Sequence, residues 1–137
     1  MDSEIVSKSI IGAAMRVHSE LGPGLLESAY RACLAHELRL TNLEVRTEVR
    51  LPIKYRGIQI DAGYRLDLLV ENNVIVELKA VDKLQRVHEA QLLSYLKLSG
   101  ASVGLLINFC VPQLRLGIRR LVNNYIDPRH SRKRDET

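Results

Sequence analysis

The spacing of apolar residues changes at residue 44, and this change constrains the fold more than any other feature. Before it, apolar side chains recur every three or four residues, which predicts helices over residues 4–20 and 25–40. Gly22-Pro23-Gly24 separates the two helices, because glycine and proline are poor helix-interior residues. Over residues 44–56 apolar and charged residues alternate, as on a strand with one buried face. The chain therefore combines helices with a sheet.

The later segments complete a mixed architecture. The alternation over residues 44–56 predicts one long strand bent at Pro52, and two further strands are predicted at 58–70 and 74–81. The remaining predicted elements are a helix over 84–99, a buried strand over 102–109 and a last helix over 114–123. The order α-α-β-β-β-α-β-α predicts an α/β fold whose mixed β-sheet is flanked by helices on both faces.

The composition is typical of a soluble protein with a single hydrophobic core. The chain has 137 residues, of which 46% are hydrophobic and 26% charged, so we expect a single domain over residues 1–125. The charged segment 126–137 is expected to be a flexible tail. No apolar run is long enough to span a membrane, and the N-terminus lacks the basic region of a secretory signal. We therefore expect a cytoplasmic protein without a membrane partner.

Cysteine usage and net charge narrow the functional classes. Cys33 and Cys110 lie far apart with no nearby Cys/His cluster, which argues against zinc and predicts reduced thiols in the core. Twenty Lys and Arg residues against sixteen Asp and Glu residues give a net charge of +4, which permits a polyanionic partner without requiring one. No base-reading module is visible in the sequence, so no sequence-specific readout is predicted.

Charged residues interrupt two predicted core strands. Glu77 and Lys79 lie within the apolar segment 74–81, and alternation places them on one face, about 6.6 Å apart along the strand. Asp67 interrupts the preceding strand in the same way. If residues 71–73 form the connecting loop, Asp67 lies directly opposite Glu77, with Cβ atoms about 5 Å apart. A register shifted by one residue would place the two carboxylates on opposite faces.

Two carboxylates at this separation repel one another unless a cation lies between them. Hard oxygen ligands favour Mg²⁺ or Mn²⁺, and Lys79 beside such an ion would orient water or neutralise phosphate charge. The structural alternative is an ion pair between Glu77 and Lys79, or a sheet face that is simply solvated. Asp61 is excluded from the site, because it lies about 20 Å from Asp67 along an extended strand. A turn or loop role is expected for it instead.

The third predicted helix carries a polar stripe. His88, Gln91 and Tyr95 stand at positions i, i+3 and i+7, so they share one helix face. Gln91 is notable because the residues that flank this stripe, Leu84, Val87 and Leu98, are apolar. The alternative is a half-exposed helix on which Gln91 contacts a backbone group. His88, like His18, is interpreted as a hydrogen-bonded side chain, since that is the usual state of a lone helical histidine.

Several motifs together resemble a known family. Asp67, nine intervening residues and Glu77-Leu78-Lys79 resemble the D…ExK signature of the PD-(D/E)XK nuclease superfamily. Residues 24–30, GLLESAY, match the GxxExxY motif that names a family of small bacterial proteins in that superfamily. Residues 61–67, 76–80 and 88–95 are similar to other blocks of that family, so the likeness covers about residues 5 to 122.

The resemblance implies a restriction-endonuclease-like core and a metal-dependent nuclease centre. Asp67, Glu77 and the backbone carbonyl of Leu78 would hold a Mg²⁺ or Mn²⁺ ion. Lys79 would be the catalytic lysine. The implied reaction is hydrolysis of nucleic-acid phosphodiester bonds.

The same resemblance implies roles for helical residues. Glu27 would be a further metal ligand, although an ion pair with Arg31, four residues later, is the alternative from spacing. Gln91 and Tyr95 resemble a QxxxY element whose glutamine contacts the metal ligands or the phosphate. Tyr30 and Tyr95 would position helix residues or stack on a base.

Three functional classes stay open from sequence. The first is a nuclease acting on DNA or RNA, with a homodimer as one expected assembly. The second is a non-catalytic nucleic-acid-binding or interaction protein that keeps a nuclease-like fold. The third is a nuclease subunit that acts only beside a partner.

Overall fold

The computed structural model describes residues 1–124, and the predicted tail over 126–137 lies outside them. Within that range the chain forms three helices and seven strands. In chain order these are α1 (Ser3–Leu21), α2 (Glu27–Leu40), β1 (Val45–Arg50), β2 (Ile53–Tyr55), β3 (Ile58–Ile60), β4 (Arg65–Val70), β5 (Val74–Lys79), α3 (Arg86–Ser99), β6 (Val103–Asn108) and β7 (Ile118–Val122). A short 3₁₀ helix, Leu114–Gly117, precedes β7.

Five strands form the main sheet, in the order β1-β4-β5-β6-β7. Strands β5 and β6 are parallel and are linked through α3, whereas the other neighbours are antiparallel. Helices α1 and α2 cover one face of the sheet, and α3 covers the other. The predicted mixed sheet with helices on both faces is therefore confirmed.

The predicted strands over residues 44–56 and 58–70 are each divided in two, and residues 61–64 separate β3 from β4. Strand β1 ends at Arg50, and β2 pairs with β3 in a separate hairpin. Proline has no backbone N–H to donate to a ladder, so the break at Pro52 follows from the sequence. Arg56 and Gly57 form the hairpin turn with φ of 47° and 84°, which is left-handed geometry.

The predicted helix over residues 114–123 is wrong. Only Leu114–Gly117 forms a helical turn, and β7 then pairs antiparallel along the outer edge of β6. A Cβ atom on Gly117 would lie 2.4 Å from the Asn108 carbonyl oxygen, so the chain passes too close to β6 for any other residue. The edge of a buried strand needs a hydrogen-bonding partner, and this tertiary demand prevails over the local pattern.

The cysteines are less buried than predicted. Cys33 is exposed and Cys110 is half-buried, and both are free thiols. The predicted core position is therefore wrong for Cys33, which lies on the outer side of α2.

None of the helices within residues 1–124 has the length and apolar character needed to cross a membrane.

Candidate active site

The register of β4 and β5 brings the two strand carboxylates together. Leu68 lies opposite Val76 in this antiparallel pair, so the next position places Asp67 opposite Glu77, as predicted. Side chains replace the backbone ladder there: the Asp67 N–H donates to Glu77 Oε1 at 3.1 Å, and the Leu78 N–H donates to Asp67 Oδ2 at 2.8 Å. Both carboxylates are therefore fixed at the point where the ladder stops.

Glu77 is held in an environment that disfavours its charge. Its side chain is almost fully buried, and burial together with the nearby charge of Asp67 raises the pKa of Glu77 to about 8. Lys79 acts in the opposite direction by favouring the charged form of Glu77. The net effect favours the protonated form of Glu77, because burial and the Asp67 charge outweigh the attraction of Lys79.

The Leu78 carbonyl points toward β4, the strand that carries Asp67. The Phe109 N–H of the β6 end donates to the Lys79 carbonyl at 2.9 Å, so the Lys79 peptide group points toward β6. Successive residues of a strand direct their peptide groups to opposite edges. The peptide groups of Leu78 therefore point toward β4, in agreement with the bond from its N–H to Asp67.

The donor set fits a hard divalent cation. Asp67, Glu77 and the Leu78 carbonyl offer only oxygen atoms, and Mg²⁺ is commonly bound by one or two carboxylates with water filling the other positions. Within residues 1–124, no three His, Cys, Asp or Glu side chains converge closely enough to form a metal cluster. These residues therefore fit a metal site in which two carboxylates, a backbone carbonyl and water bind the cation.

Glu27 lies at the end of β5. It is the first residue of α2, and its Oε2 accepts a hydrogen bond from the Ala80 N–H at 3.3 Å, one residue beyond Lys79. The alternative ion pair between Glu27 and Arg31 is not formed, because the Arg31 guanidinium contacts Asp67 and Glu48 instead. Glu27 does not join the two strand carboxylates in a cluster, so its role as a metal ligand stays a prediction.

Tyr30 explains the tyrosine of the GxxExxY pattern in structural terms. Its hydroxyl donates to the Gly22 carbonyl at 2.5 Å and accepts from the Leu25 N–H at 3.1 Å, while its ring stacks on Phe109 at 4.3 Å. The side chain is fully buried, so it has no surface for stacking on a base. It ties the turn that leads into α2 and thereby positions Glu27.

Replacing Tyr30 by phenylalanine is expected to lower the free energy of unfolding by about 1–2 kcal/mol. The change leaves the Gly22 carbonyl and the Leu25 N–H without their shared hydroxyl partner. Urea denaturation of the variant measures this loss. Tyr55→Phe is the control, because Tyr55 is exposed, and an equal effect in both variants would contradict the assigned role.

Helix α3 presents Tyr95 to the carboxylates. Burial raises the pKa of Tyr95 to about 12, and the charges of Glu77, Tyr64 and Asp67 add to the effect. The Tyr95 ring also meets Tyr64 edge-on, with centroids 5.9 Å apart. Gln91 lies one turn earlier on the same helix face and is half-buried, and its side-chain amide makes no hydrogen bond within residues 1–124.

Lys79 lies on the Glu77 face of β5, by the alternation of the strand. It is half-buried, and it makes no ion pair with Glu77 or with any other acidic side chain of residues 1–124. The structural alternative, an ion pair between Glu77 and Lys79, is therefore not formed. The ammonium group is near enough to favour the charged form of Glu77 but forms no ion pair within residues 1–124.

His88 and His18 are both hydrogen-bonded side chains. His88 Nδ1 accepts from the Gln85 N–H at 3.0 Å, so this residue caps the start of α3. His18 Nε2 is 2.8 Å from the Val111 carbonyl oxygen. Asp61 accepts from the Gly63 N–H at 3.0 Å and pairs with Arg50, which is the turn role expected for it.

Two residues near the carboxylates were not predicted from sequence. Arg31 places one guanidinium nitrogen 3.4 Å from Asp67 Oδ1 and another 3.5 Å from Glu48 Oε1. Asn108 lies opposite Lys79 in the sheet register and is buried. Its side chain bonds both peptide groups of Val81, which fixes the chain just after Lys79. The sequence feature that could have identified Asn108 is a polar amide side chain at the end of an apolar strand.

Comparisons with known proteins identify the superfamily of the chain. The family model of the PD-(D/E)XK nuclease superfamily matches residues 4–121. The chain belongs to the PD-(D/E)XK nuclease superfamily. It is similar to a solved structure described as "Crystal structure of SSO0001", at 22% identity over 90% of this chain and 68% of that chain, with a TM-score of 0.45. A comparison with curated proteins gives no significant match.

Proposed function

We propose that this protein is a metal-dependent nuclease that hydrolyses phosphodiester bonds of nucleic acid. One observation carries the proposal: Asp67 and Glu77 oppose each other where the β4–β5 ladder stops, in a chain of a nuclease superfamily. We further propose membership of the GxxExxY family within that superfamily. The buried Tyr30 and the helix-initial Glu27 support this, since the motif's residues have defined places around the site.

Each proposed role follows from position. Asp67, Glu77 and the Leu78 carbonyl would hold Mg²⁺ or Mn²⁺, with Glu27 as a further ligand. When bound, such an ion polarises the phosphate and lowers the pKa of a coordinated water. Lys79 has an uncommitted ammonium on the Glu77 face, suited to orienting the attacking water and to balancing negative charge on the phosphate.

The helix α3 side chains complete the proposed site. The Gln91 amide has unused donors and an unused acceptor, so it can hold a phosphate oxygen or a ligand carboxylate. Tyr95 is buried and senses the charges of Glu77 and Asp67, so its proposed role is to limit the access of water to Glu77. The proposed partner is DNA or RNA, which agrees with the net charge of +4. A homodimer is the proposed assembly, and light scattering on purified protein tests it.

A cleavage assay tests the proposed function. The purified chain is incubated with labelled single-stranded and double-stranded DNA and RNA, in Mg²⁺, in Mn²⁺ and in a chelator. We expect cleavage that requires the metal and is absent in the Asp67→Asn/Glu77→Gln double variant. Cleavage that survives in the double variant would contradict the assignment of the site, and its absence in the wild type under every condition would contradict the activity.

A non-catalytic nucleic-acid-binding protein is the second candidate. The observation in its favour is the Arg31 guanidinium beside Asp67, which already supplies a positive charge at one of the two carboxylates. This candidate predicts nucleic-acid binding that is the same in metal and in chelator, with no product in the cleavage assay.

Lys79→Met is expected to lower the cleavage rate by roughly 10²-fold or more, the usual cost of removing one preorganised electrostatic contact. Metal affinity should be retained, because Lys79 is not among the proposed ligands. Single-turnover cleavage and calorimetric metal titration measure the two effects separately. Lys83→Met, at an exposed position, is the control. Loss of metal binding together with cleavage would show that Lys79 supports the fold of the site instead.

A further inference from the structure

Arg31 places a positive charge directly at the paired carboxylates. It lies one helical turn after Glu27 on α2, so the two side chains extend from the same side of that helix. Its guanidinium contacts Asp67 at 3.4 Å and Glu48 at 3.5 Å, and about a quarter of the side chain is exposed (23%). Neither the D…ExK pattern nor the GxxExxY pattern includes position 31.

The strand beside Arg31 is locally distorted. In the β1–β4 register Thr47 pairs with Leu68 and Val49 pairs with Leu66, but the position between them, Glu48 opposite Asp67, is not paired. Glu48 has a backbone φ of 51°, which is unusual for a residue other than glycine. Asp67 is therefore released from the regular ladder on both of its neighbouring strands, and Arg31 lies at the opening on the β1 side.

Arg31 is held loosely by its two partners. Tight charge-assisted hydrogen bonds of a guanidinium measure about 2.7–2.9 Å, and both contacts of Arg31 are longer. The Glu48 side chain is 62% exposed, so solvent screens its attraction for Arg31. A guanidinium has five N–H donors in a planar fork, and these two contacts leave most of them free. The Arg31 guanidinium is therefore available to an anion that binds it more strongly than Asp67 or Glu48 does.

We propose that Arg31 binds the phosphate of the substrate beside Asp67. The planar fork matches two oxygens of a phosphate, and its position next to a proposed metal ligand puts it where the reacting phosphodiester must lie. A cation held by Asp67 would weaken the attraction between Asp67 and Arg31, which frees the guanidinium to turn to phosphate. The inference rests on the proposed nuclease function and adds a substrate-binding residue to it.

A purely structural Arg31 makes a different prediction for nucleic-acid binding. Under either role, removing Arg31 takes a positive charge away from Asp67 and strengthens metal binding, because like charges repel. If Arg31 only neutralises Asp67 and Glu48, nucleic-acid affinity in Ca²⁺ should not fall when it is removed. If Arg31 is a phosphate ligand, metal binding strengthens while nucleic-acid binding weakens, and these opposite effects identify the role.

The test compares Arg31→Gln, Arg31→Lys and the wild type. Mg²⁺ affinity is measured by calorimetry, and the affinity for short fluorescein-labelled DNA and RNA, single-stranded and duplex, is measured by anisotropy in Ca²⁺ and in chelator. For Arg31→Gln we expect Mg²⁺ binding about threefold tighter and, in Ca²⁺, nucleic-acid binding roughly tenfold weaker, with Arg31→Lys between. Arg16→Gln is the control, because it removes an arginine that pairs with Glu37 far from Asp67.

The outcomes are distinct. Nucleic-acid affinity of Arg31→Gln equal to that of Arg16→Gln, or a parallel loss of metal and nucleic-acid binding in Arg31→Gln, would overturn the role of Arg31. The nuclease function then still stands if the wild type cleaves. A wild type that binds none of the labelled nucleic acids would overturn both. Unchanged thermal unfolding of Arg31→Gln ensures that its loss of binding is not a loss of folding.

Discussion

Asp67→Asn is expected to abolish nucleic-acid cleavage, with a fall of roughly 10³-fold or more in kcat/KM, while the fold is retained. The amide keeps an oxygen that can accept the Leu78 N–H, so the end of the β4–β5 pairing is preserved. What is lost is the negative charge that would hold the metal beside Glu77. Single-turnover cleavage in Mg²⁺ measures the effect, and circular dichroism reports the fold.

Asp61→Asn is the matched control for this prediction. Asp61 is an aspartate of the same segment of chain, but it pairs with Arg50 and bonds the Gly63 N–H outside the site. The same substitution there should leave cleavage within about twofold of the wild type, as is usual for a surface change remote from the chemistry. Equal losses in the two variants, or full activity in Asp67→Asn, would contradict the assignment of Asp67.

Glu77→Gln is expected to stabilise the metal-free protein at neutral pH. The pKa of Glu77 is raised from 4.5 to about 8 in the folded chain, first by burial and then by Asp67. Below pH 4.5 the carboxyl is protonated in both the folded and the unfolded chain. Between pH 4.5 and 8 only the unfolded chain ionises, so the wild type loses stability as the pH rises through this range.

The expected gain is large for a single neutral substitution. Relative to the wild type, Glu77→Gln should have little advantage at pH 4 and an advantage on the order of 3 kcal/mol at neutral pH. Urea denaturation in a chelator across this pH range measures the difference. Added Mg²⁺ should then restore stability to the wild type and not to the variant, because the variant lacks one ligand charge.

Glu37→Gln serves as the control for Glu77→Gln. Glu37 pairs with Arg16 at the surface, so its neutralisation should give a small effect without the same pH profile. A Glu77→Gln variant that is less stable than the wild type at neutral pH in chelator would contradict the electrostatic description of the site.

The register of the site was predictable because local rules decide it. The turn at residues 71–73 joins two apolar strands, and Glu71 and Asn72 adopt the left-handed conformation that a tight turn requires. In a hairpin the length and type of the turn fix the register of the two strands. The opposition of Asp67 and Glu77 follows from these constraints alone.

The last element and the split of the long strand depended on tertiary structure. Residues 114–123 have apolar spacing that fits a short helix, yet half of them, Ile118–Val122, form the strand that covers the edge of β6. No local sequence pattern indicates that the edge of β6 needs a further strand. Pro52 did mark a bend, but the separate β2–β3 hairpin arises because the chain leaves the main sheet there.

Arg31 was missed because spacing favours the wrong partner. Glu27 and Arg31 are four residues apart on a helix, which is the usual arrangement of a local ion pair. In the folded chain Glu27 turns to the Ala80 N–H, and Arg31 turns to Asp67, which is 36 residues away in sequence. Long-range contacts of this kind follow from the packing of α2 on one face of the sheet.

A calorimetric titration of Mg²⁺ and Mn²⁺ tests the central claim most directly. It is run on the wild type and on the Asp67→Asn/Glu77→Gln double variant, with the cleavage assay performed on the same preparations. We predict saturable metal binding in the wild type that disappears in the double variant, together with the loss of cleavage. Metal binding of equal affinity in both proteins, or no metal binding by the wild type even with nucleic acid present, would contradict a metal centre at Asp67 and Glu77.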